Sequence, residues 1–238
     1  MKDDYDRGTS RTGGSDFDFV DLTYTISPAS DVWPGEKEPE FEHKRTLDRD
    51  GVNVTRFSMN VHTKSHVDAP GHFIEKGATI DKLPLENICG DAVVHRSTEK
   101  PKGQKIGPKG LEGSKIELTE GDIFILNSGI QNLKGSARYY RDFPVPSVAL
   151  LEELVNRGMK CYATDCPSID PLDSQSHDNH HFLLSRGIPI VENLANLDEL
   201  DEGKRVVFFA FPLKLKGLEG SPCRAMAMNK TEFGRSLE

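Results

Sequence analysis

Three histidines and an aspartate fall within eleven residues of one another in H-T-K-S-H-V-D-A-P-G-H-F (62–73), and geometry restricts how a chain can use them. Neutral imidazole is the commonest protein metal ligand, and carboxylates complete mixed nitrogen and oxygen sites. On a helix, His62 and His66 would share a face, but Asp68 would point away and Pro70 would break the helix. On a straight strand, His62 and His66 would stand about 13 Å apart at a rise of ~3.3 Å per residue. One ion holds its ligand atoms at ~2 Å, so neither regular element brings all four together. The segment must therefore curl. His62 ends a strand, a turn through Thr63–Ser65 returns His66 and Asp68 beside it, and Pro70–Gly71 bends the chain so that His72 faces the same cavity. The bland alternative is a polar surface loop, which suits a lone histidine better than this grouping.

A second cluster, H-D-N-H-H-F (177–182), holds His177, His180 and His181. His180 opens the helical pattern HHFLL, and Glu192 follows the apolar strand IPIV twelve residues later. A carboxylate buried alone at a strand end is costly to desolvate, and a metal ion supplies the compensating charge. Glu192 reads equally as the first turn of a following helix, where the dipole favours acids.

The chain has 238 residues, long enough for one substantial core. Its net charge of −8 disfavours nucleic acid, whose binding draws on Lys and Arg against phosphates. No apolar run is long enough to span a membrane. Cys89, Cys161, Cys166 and Cys223 form no C-x-x-C pair and no disulfide framework, which points to free thiols in a reducing cytoplasm. Residues 1–16 are polar and Gly-rich and read as a disordered leader, leaving 17–238 as one domain. Strands are expected near 17–26, 52–61 with a bulge near Thr55–Arg56, 121–126, 160–164, 188–191, 206–211 and 224–228. A helix opens at Pro146–Ser147 and ends at Gly158, another covers 178–186, and Asn193 is placed to cap a short one. The Pro-, Gly- and acid-rich stretch 27–42, which carries Trp33, reads as irregular, as does 99–121. Mixed α/β in a single domain is the economical architecture. Neither G-x-S-x-G nor G-x-x-x-x-G-K-[ST] occurs, and Cys166 in TDCPSID reads as a small buried residue rather than a nucleophile.

The first cluster resembles the H-x-G-T-H-x-D-x-P-x-H-F signature of the metal-dependent cyclase family, which includes bacterial kynurenine formamidases and isatin hydrolases. VDLTYTISP (20–28), VWPG (32–35), TDCPSID (164–170), HHFLLSRGIPIVEN (180–193) and PLKLKGLEGSPCRAMA (212–227) resemble other blocks of the family, so the likeness spans residues 17–228. It implies a compact α/β domain with a barrel-like mixed β core and flanking helices, often assembled as a homodimer or homotetramer. It implies that His62, His66, Asp68, His180 and Glu192 ligate one or two divalent ions, zinc or manganese. It gives His72 the proton-handling role and sets Trp33 in the substrate pocket. His180 is preferred over His181 by its spacing, and His177 belongs at most to the pocket wall.

Two departures stand out. Lys64 replaces the signature glycine and Ser65 its threonine. If the position needs positive φ, a lysine there is strained by roughly 1 kcal/mol. Lys64 either faces solvent or contacts an anionic substrate. The implied activity is hydrolysis of an amide bond in a small aryl formamide or cyclic amide by metal-activated water. The alternatives are a lyase, cyclase or lactone hydrolase acting on a small oxygenated acid, and a non-catalytic protein with a structural metal.

Overall fold

The computed structural model describes residues 19–97, 103–111 and 117–229. The expected leader (1–16) and parts of the 99–121 excursion lie outside the described residues. Twelve strands are assigned in chain order: β1 (Phe19–Asp21), β2 (Glu40–Arg45), β3 (Val54–Ser58), β4 (His66–Asp68), β5 (Cys89–Arg96), β6 (Lys105–Ile106), β7 (Ile123–Asn127), β8 (Val145–Pro146), β9 (Cys161–Thr164), β10 (Ile190–Glu192), β11 (Arg205–Pro212) and β12 (Gly220–Asn229). The α-helices are α1 (Leu47–Asp50), α2 (Val148–Asn156) and α3 (Asp178–Leu184).

Among the described residues, seven strands close on themselves in the order β12-β11-β5-β7-β9-β10-β4, with β4 returning to β12. The strands β5, β7, β9 and β10 run parallel, and the remaining pairs in the ring are antiparallel. Closure depends on the length of β12. Gly220–Pro222 pair with β4, while Met226–Met228 pair with β1 along the same edge. A closed ring leaves no unpaired edge in its wall.

Successive side chains alternate across that wall. Ala92 and Val94, Ile123 and Ile125, Cys161 and Ala163, and Val191 join one apolar cluster with Phe208, Ala210, Ala225 and Ala227. Their neighbours Val93, Phe124, Leu126, Tyr162 and Ile190 join a second cluster with Leu150, Leu151 and Leu154 of α2 and Leu183 and Leu184 of α3. The first set fills the barrel and the second lies between barrel and helices. Burial on both faces explains the nearly unbroken apolar runs of the parallel strands. Alanines and two cysteines, Cys161 and Cys223, admit one large ring, Phe208, into the narrow interior. In α2, the Ser147 hydroxyl accepts the Leu150 amide (3.2 Å), which caps the helix where the sequence placed its start.

Several expectations are corrected. Glu40–Arg45 begins inside the stretch read as irregular (27–42), yet it pairs with β3 as a hairpin in which every residue is exposed. Its charges find solvent rather than a core, so no apolar pattern announced it. The irregularity expected near Thr55–Arg56 falls on the partner strand, between His43 and Arg45. Asn193 opens no helix: it adopts φ 55°, and only the 3₁₀ turn Leu197–Glu199 follows. Strand β5, for which the sequence analysis gives no expectation, pairs with both β7 and β11.

Phe208 is fully buried, and Phe208→Ala should lower unfolding free energy by about 3–5 kcal/mol, read from the urea midpoint. A loss below about 1 kcal/mol would mean that the barrel interior is not the close-packed core described here.

Candidate metal centre

The two clusters meet where β4 pairs with β10. His66 stands opposite Glu192 in this antiparallel pair, and Asp68 stands opposite Ile190. Val67 and Val191 point into the barrel, so His66, Asp68 and Glu192 share the outer face of the wall. The chain reaches β4 through the turn at 61–65, and Pro70–His72 forms a 3₁₀ turn directly after it. This is the curl that the spacing demanded, except that His62 lies within the turn and ends no strand, because β3 stops at Ser58. His180 comes from α3, packed over the same face. Glu192 ends a strand rather than opening a helix, which decides between its two readings.

The polar atoms converge closely. His66 Nε2 lies 3.3 Å from Asp68 Oδ1 and 3.5 Å from Glu192 Oε2. His180 Nε2 lies 3.4 Å from Glu192 Oε1 and 3.8 Å from Asp68 Oδ2. His62 Nδ1 lies 2.8 Å from Asp68 Oδ1. His62, Asp68 and His72 offer atoms within 4.8 Å of one another, as do His66, Asp68 and Glu192, and as do Asp170, His177 and His180. Ligands at about 2.1 Å around one tetrahedral ion stand about 3.4 Å apart, which matches these spacings. The buried atoms Asp68 Oδ2 and His62 Nε2 have no hydrogen-bond partner among the described residues. Two buried carboxylates facing imidazole nitrogens, with acceptor capacity unused, fit a divalent cation.

The rings are held in the orientation a cation needs. His66 Nδ1 donates to the Lys64 carbonyl (2.7 Å), and His180 Nδ1 donates to Asp170 Oδ2 (2.7 Å). In both residues this leaves Nε2 facing the cluster, where a cation would take the place of its proton. Asp170 also accepts the amides of Asn179 and His180 (both 3.1 Å), so it fixes the start of α3 as well as the ring. Glu192 Oε1 accepts the Ile169 amide (3.0 Å).

Electrostatics show the surplus of negative charge. Burial would depress the pKa of His66, but Asp68 and Glu192 outweigh it and draw it up to about 10. Burial opposes protonation of His180 too, yet Asp170, Glu192 and Asp68 raise it to about 10. Burial pushes Asp68 upward, and the facing His66 and His62 hold it well below the usual carboxylate range. Burial dominates at His72, aided by His62 and His180, and lowers it to about 4, which keeps that ring neutral.

The groups face a cavity of about 350 Å³. His72 stacks on His62 at 4.0 Å between ring centroids and lines this cavity with Trp33, Tyr140 and His177. Trp33 packs edge-on to Tyr140 (5.9 Å) and against Phe143, so its segment is anchored despite its irregular backbone. His181 is exposed and absent from the cavity wall, in keeping with the preference for His180. Lys64 does adopt φ 58°, but it is buried and ion-paired with Asp31, not turned to solvent. Ser65 donates to the Asn193 carbonyl (2.6 Å) and accepts the Tyr24 amide (3.1 Å), which ties the turn to two other segments.

Sequence reasoning assigned no part to Asp170, Tyr140, Lys134 or Gly220. Asp170 lies within TDCPSID, and only its proximity to His180 in the chain hints at a role. At Gly220 an added Cβ would sit 2.8 Å from His62 Cε1 and 3.0 Å from the Val67 carbonyl, so the glycine makes room for the ring.

Asp170→Asn, which loosens His180, should lower apparent zinc affinity about 10- to 100-fold in a chelator competition while circular dichroism stays native. Gly220→Ala should likewise weaken zinc binding by displacing His62. Unchanged affinity in both variants would disconnect these residues from the centre.

The chain matches the model of the family described as "Putative cyclase" over residues 20–171. It is 34% identical over 213 residues to a kynurenine formamidase of Salinibacter ruber, covering 87% of this chain and 95% of that protein. A kynurenine formamidase of Bacillus cytotoxicus is 30% identical over 211 residues, covering 88% of this chain and 96% of that one. Among solved structures, isatin hydrolase A from Labrenzia aggregata, bound to benzyl benzoate, superposes with a TM-score of 0.78 at 25% identity, covering 89% and 93% of the two chains. With the closed barrel and the His/Asp/Glu centre already in view, these likenesses show that the chain belongs to the cyclase family of hydrolases.

Proposed function

We propose that this protein is a metal-dependent hydrolase that cleaves a carbon–nitrogen bond in a small aryl formamide or cyclic amide. The observation that carries the reading is the convergence of His62, His66, Asp68, His180 and Glu192 beside an aromatic-lined cavity. These five side chains would hold one or two divalent ions, and their mixed nitrogen and oxygen donors suit zinc or manganese. When bound there, the ion supplies Lewis acidity, lowering the pKa of water towards about 7 and polarising a carbonyl oxygen.

The rest of the chemistry falls to the chain. His72, stacked on His62 at the cavity wall, takes a proton from the attacking water and returns one to the leaving nitrogen. Trp33 and Tyr140, set edge-on to each other at the cavity wall, offer aromatic surface to an aromatic or cyclic substrate. Asp170 and the Lys64 carbonyl hold two of the imidazoles in register as charge shifts. A purely structural metal fits less well, because closed structural sites commonly use cysteine. Cys161, Cys166 and Cys223 are buried elsewhere, and the centre opens onto a cavity.

Chelation should abolish amide hydrolysis, and zinc or manganese should restore it. His72→Ala should retain metal while kcat falls about 10²- to 10⁴-fold; wild-type turnover with unchanged metal content would remove His72 from the mechanism. Product formed in ¹⁸O-labelled water should carry the label in its new acid group, whereas unlabelled product would point to lyase or cyclase chemistry.

A further inference from the structure

Glu192 and Asn193 are neighbours in the chain, yet both line the cavity. A strand continued past Glu192 would turn Asn193 inward, on the side of Val191. Asn193 instead adopts φ 55°, a left-handed conformation that asparagine tolerates better than most residues bearing a Cβ, and it joins Glu192 on the outer face. Its backbone is committed on both sides: the amide donates to the Cys166 carbonyl (2.9 Å), and the carbonyl accepts the Ser65 hydroxyl (2.6 Å). The side-chain oxygen is committed too. Tyr139 donates its hydroxyl to Asn193 Oδ1 (2.7 Å), and Lys134 Nζ lies 3.5 Å from the same oxygen. Turning the side-chain amide over would set its N–H groups against that ammonium. Only Nδ2 is left. Asn193 is 6% exposed, and its Nδ2 donates to no atom among the described residues; nor is it sealed off, as the unpartnered Thr63 hydroxyl on the same wall is. A double donor with no partner, fixed at its oxygen end, is directed at whatever fills the cavity.

We infer that Asn193 is a substrate-binding residue whose side-chain N–H donates to the carbonyl oxygen of the molecule held in this cavity. The donor is neutral and its partner must be an acceptor, which describes the oxygen of an amide group. Tyr139 is fully buried, and burial holds its hydroxyl protonated, well above the usual tyrosine range, so it stays a donor to Oδ1 and keeps Nδ2 turned the other way. A side chain already fixed in this way loses little further freedom when a ligand arrives. Asn193 directly follows Glu192, so the donor stands beside the candidate metal ligands. As water adds to a carbonyl carbon, the oxygen gains negative charge and the donated hydrogen bond strengthens. A ring that lacks the carbonyl leaves the N–H unpaired, which costs more in an enclosed cavity than in water. The left-handed backbone gives independent support, because uncommon conformations persist at positions where they aim a functional group.

This inference rests on the hydrolase reading for the amide nature of the ligand. The rival is a structural asparagine that only pins the turn after β10. Calorimetry with oxindole and indoline, fused rings of similar shape with and without a carbonyl, separates the two. It is run on wild type, Asn193→Gly and Asn193→Asp, each loaded with zinc and again after chelation. Glycine adopts φ 55° freely, and aspartate keeps the shape of asparagine while presenting no N–H, so loss of the fold does not confound both variants. Wild type should prefer oxindole, and the preference should fall about tenfold in both variants, with and without zinc. A preference absent from wild type, or unchanged in the variants, overturns the inference. Equal weakening of oxindole and indoline assigns the structural role and overturns it as well. If the preference depends on Asn193 in a protein that hydrolyses no amide, the carbonyl donor stands and the hydrolase reading falls.

Discussion

Two carboxylates, Asp68 and Glu192, are buried within reach of the same imidazole nitrogens, and much of the local structure follows from that arrangement. Isolated buried charge is too costly to persist, so the chain must gather compensating groups around it. It does so with His62, His66 and His180, and it orients the last two through the Lys64 carbonyl and Asp170. The result has both the charge and the spacing for a divalent cation. The pairing of β4 with β10 brings His66 opposite Glu192, and a one-residue slip would send them into the barrel in place of Val67 and Val191.

The barrel serves this centre by being rigid and small. Its interior is filled by alanines, two cysteines, branched aliphatics and one phenylalanine. The chemistry sits on the outer face, beneath a layer of turns and α3 that brings in His72 and His180. The long β12 contributes at both levels. Its pairing with β4 closes the ring, and its first residue, Gly220, lets His62 fold against the wall. Stability and site geometry therefore share residues, and a substitution at such a position disturbs both.

Much of this was legible in the sequence, for physical reasons that differ between segments. The curl at 62–72 followed from spacing alone, because no regular element could join four ligand-type residues. Helix α2 announced itself through its apolar stripe, its serine cap and Gly158. Strand β2 stayed hidden because it is exposed along its whole length and carries no alternation of burial. Asn193 looked like a helix cap, but its backbone carbonyl accepts the Ser65 hydroxyl and its side chain the Tyr139 hydroxyl (2.7 Å). Those partners lie far away in the chain, and local pattern contains no trace of them.

The sequence by itself determined which residue types were available for the centre, and that His62, His66 and Asp68 had to be brought together by a turn. These are consequences of chain geometry over a few residues. The tertiary structure decided that Glu192 faces His66 across a strand pair, that Asp170 rather than another acid holds His180, and that Lys64 turns inward to share Asp31 with Lys134. Such partnerships are set by the closure of the barrel and by which buried charges must find one another. Both are properties of the assembled fold, which no single stretch of the chain encodes.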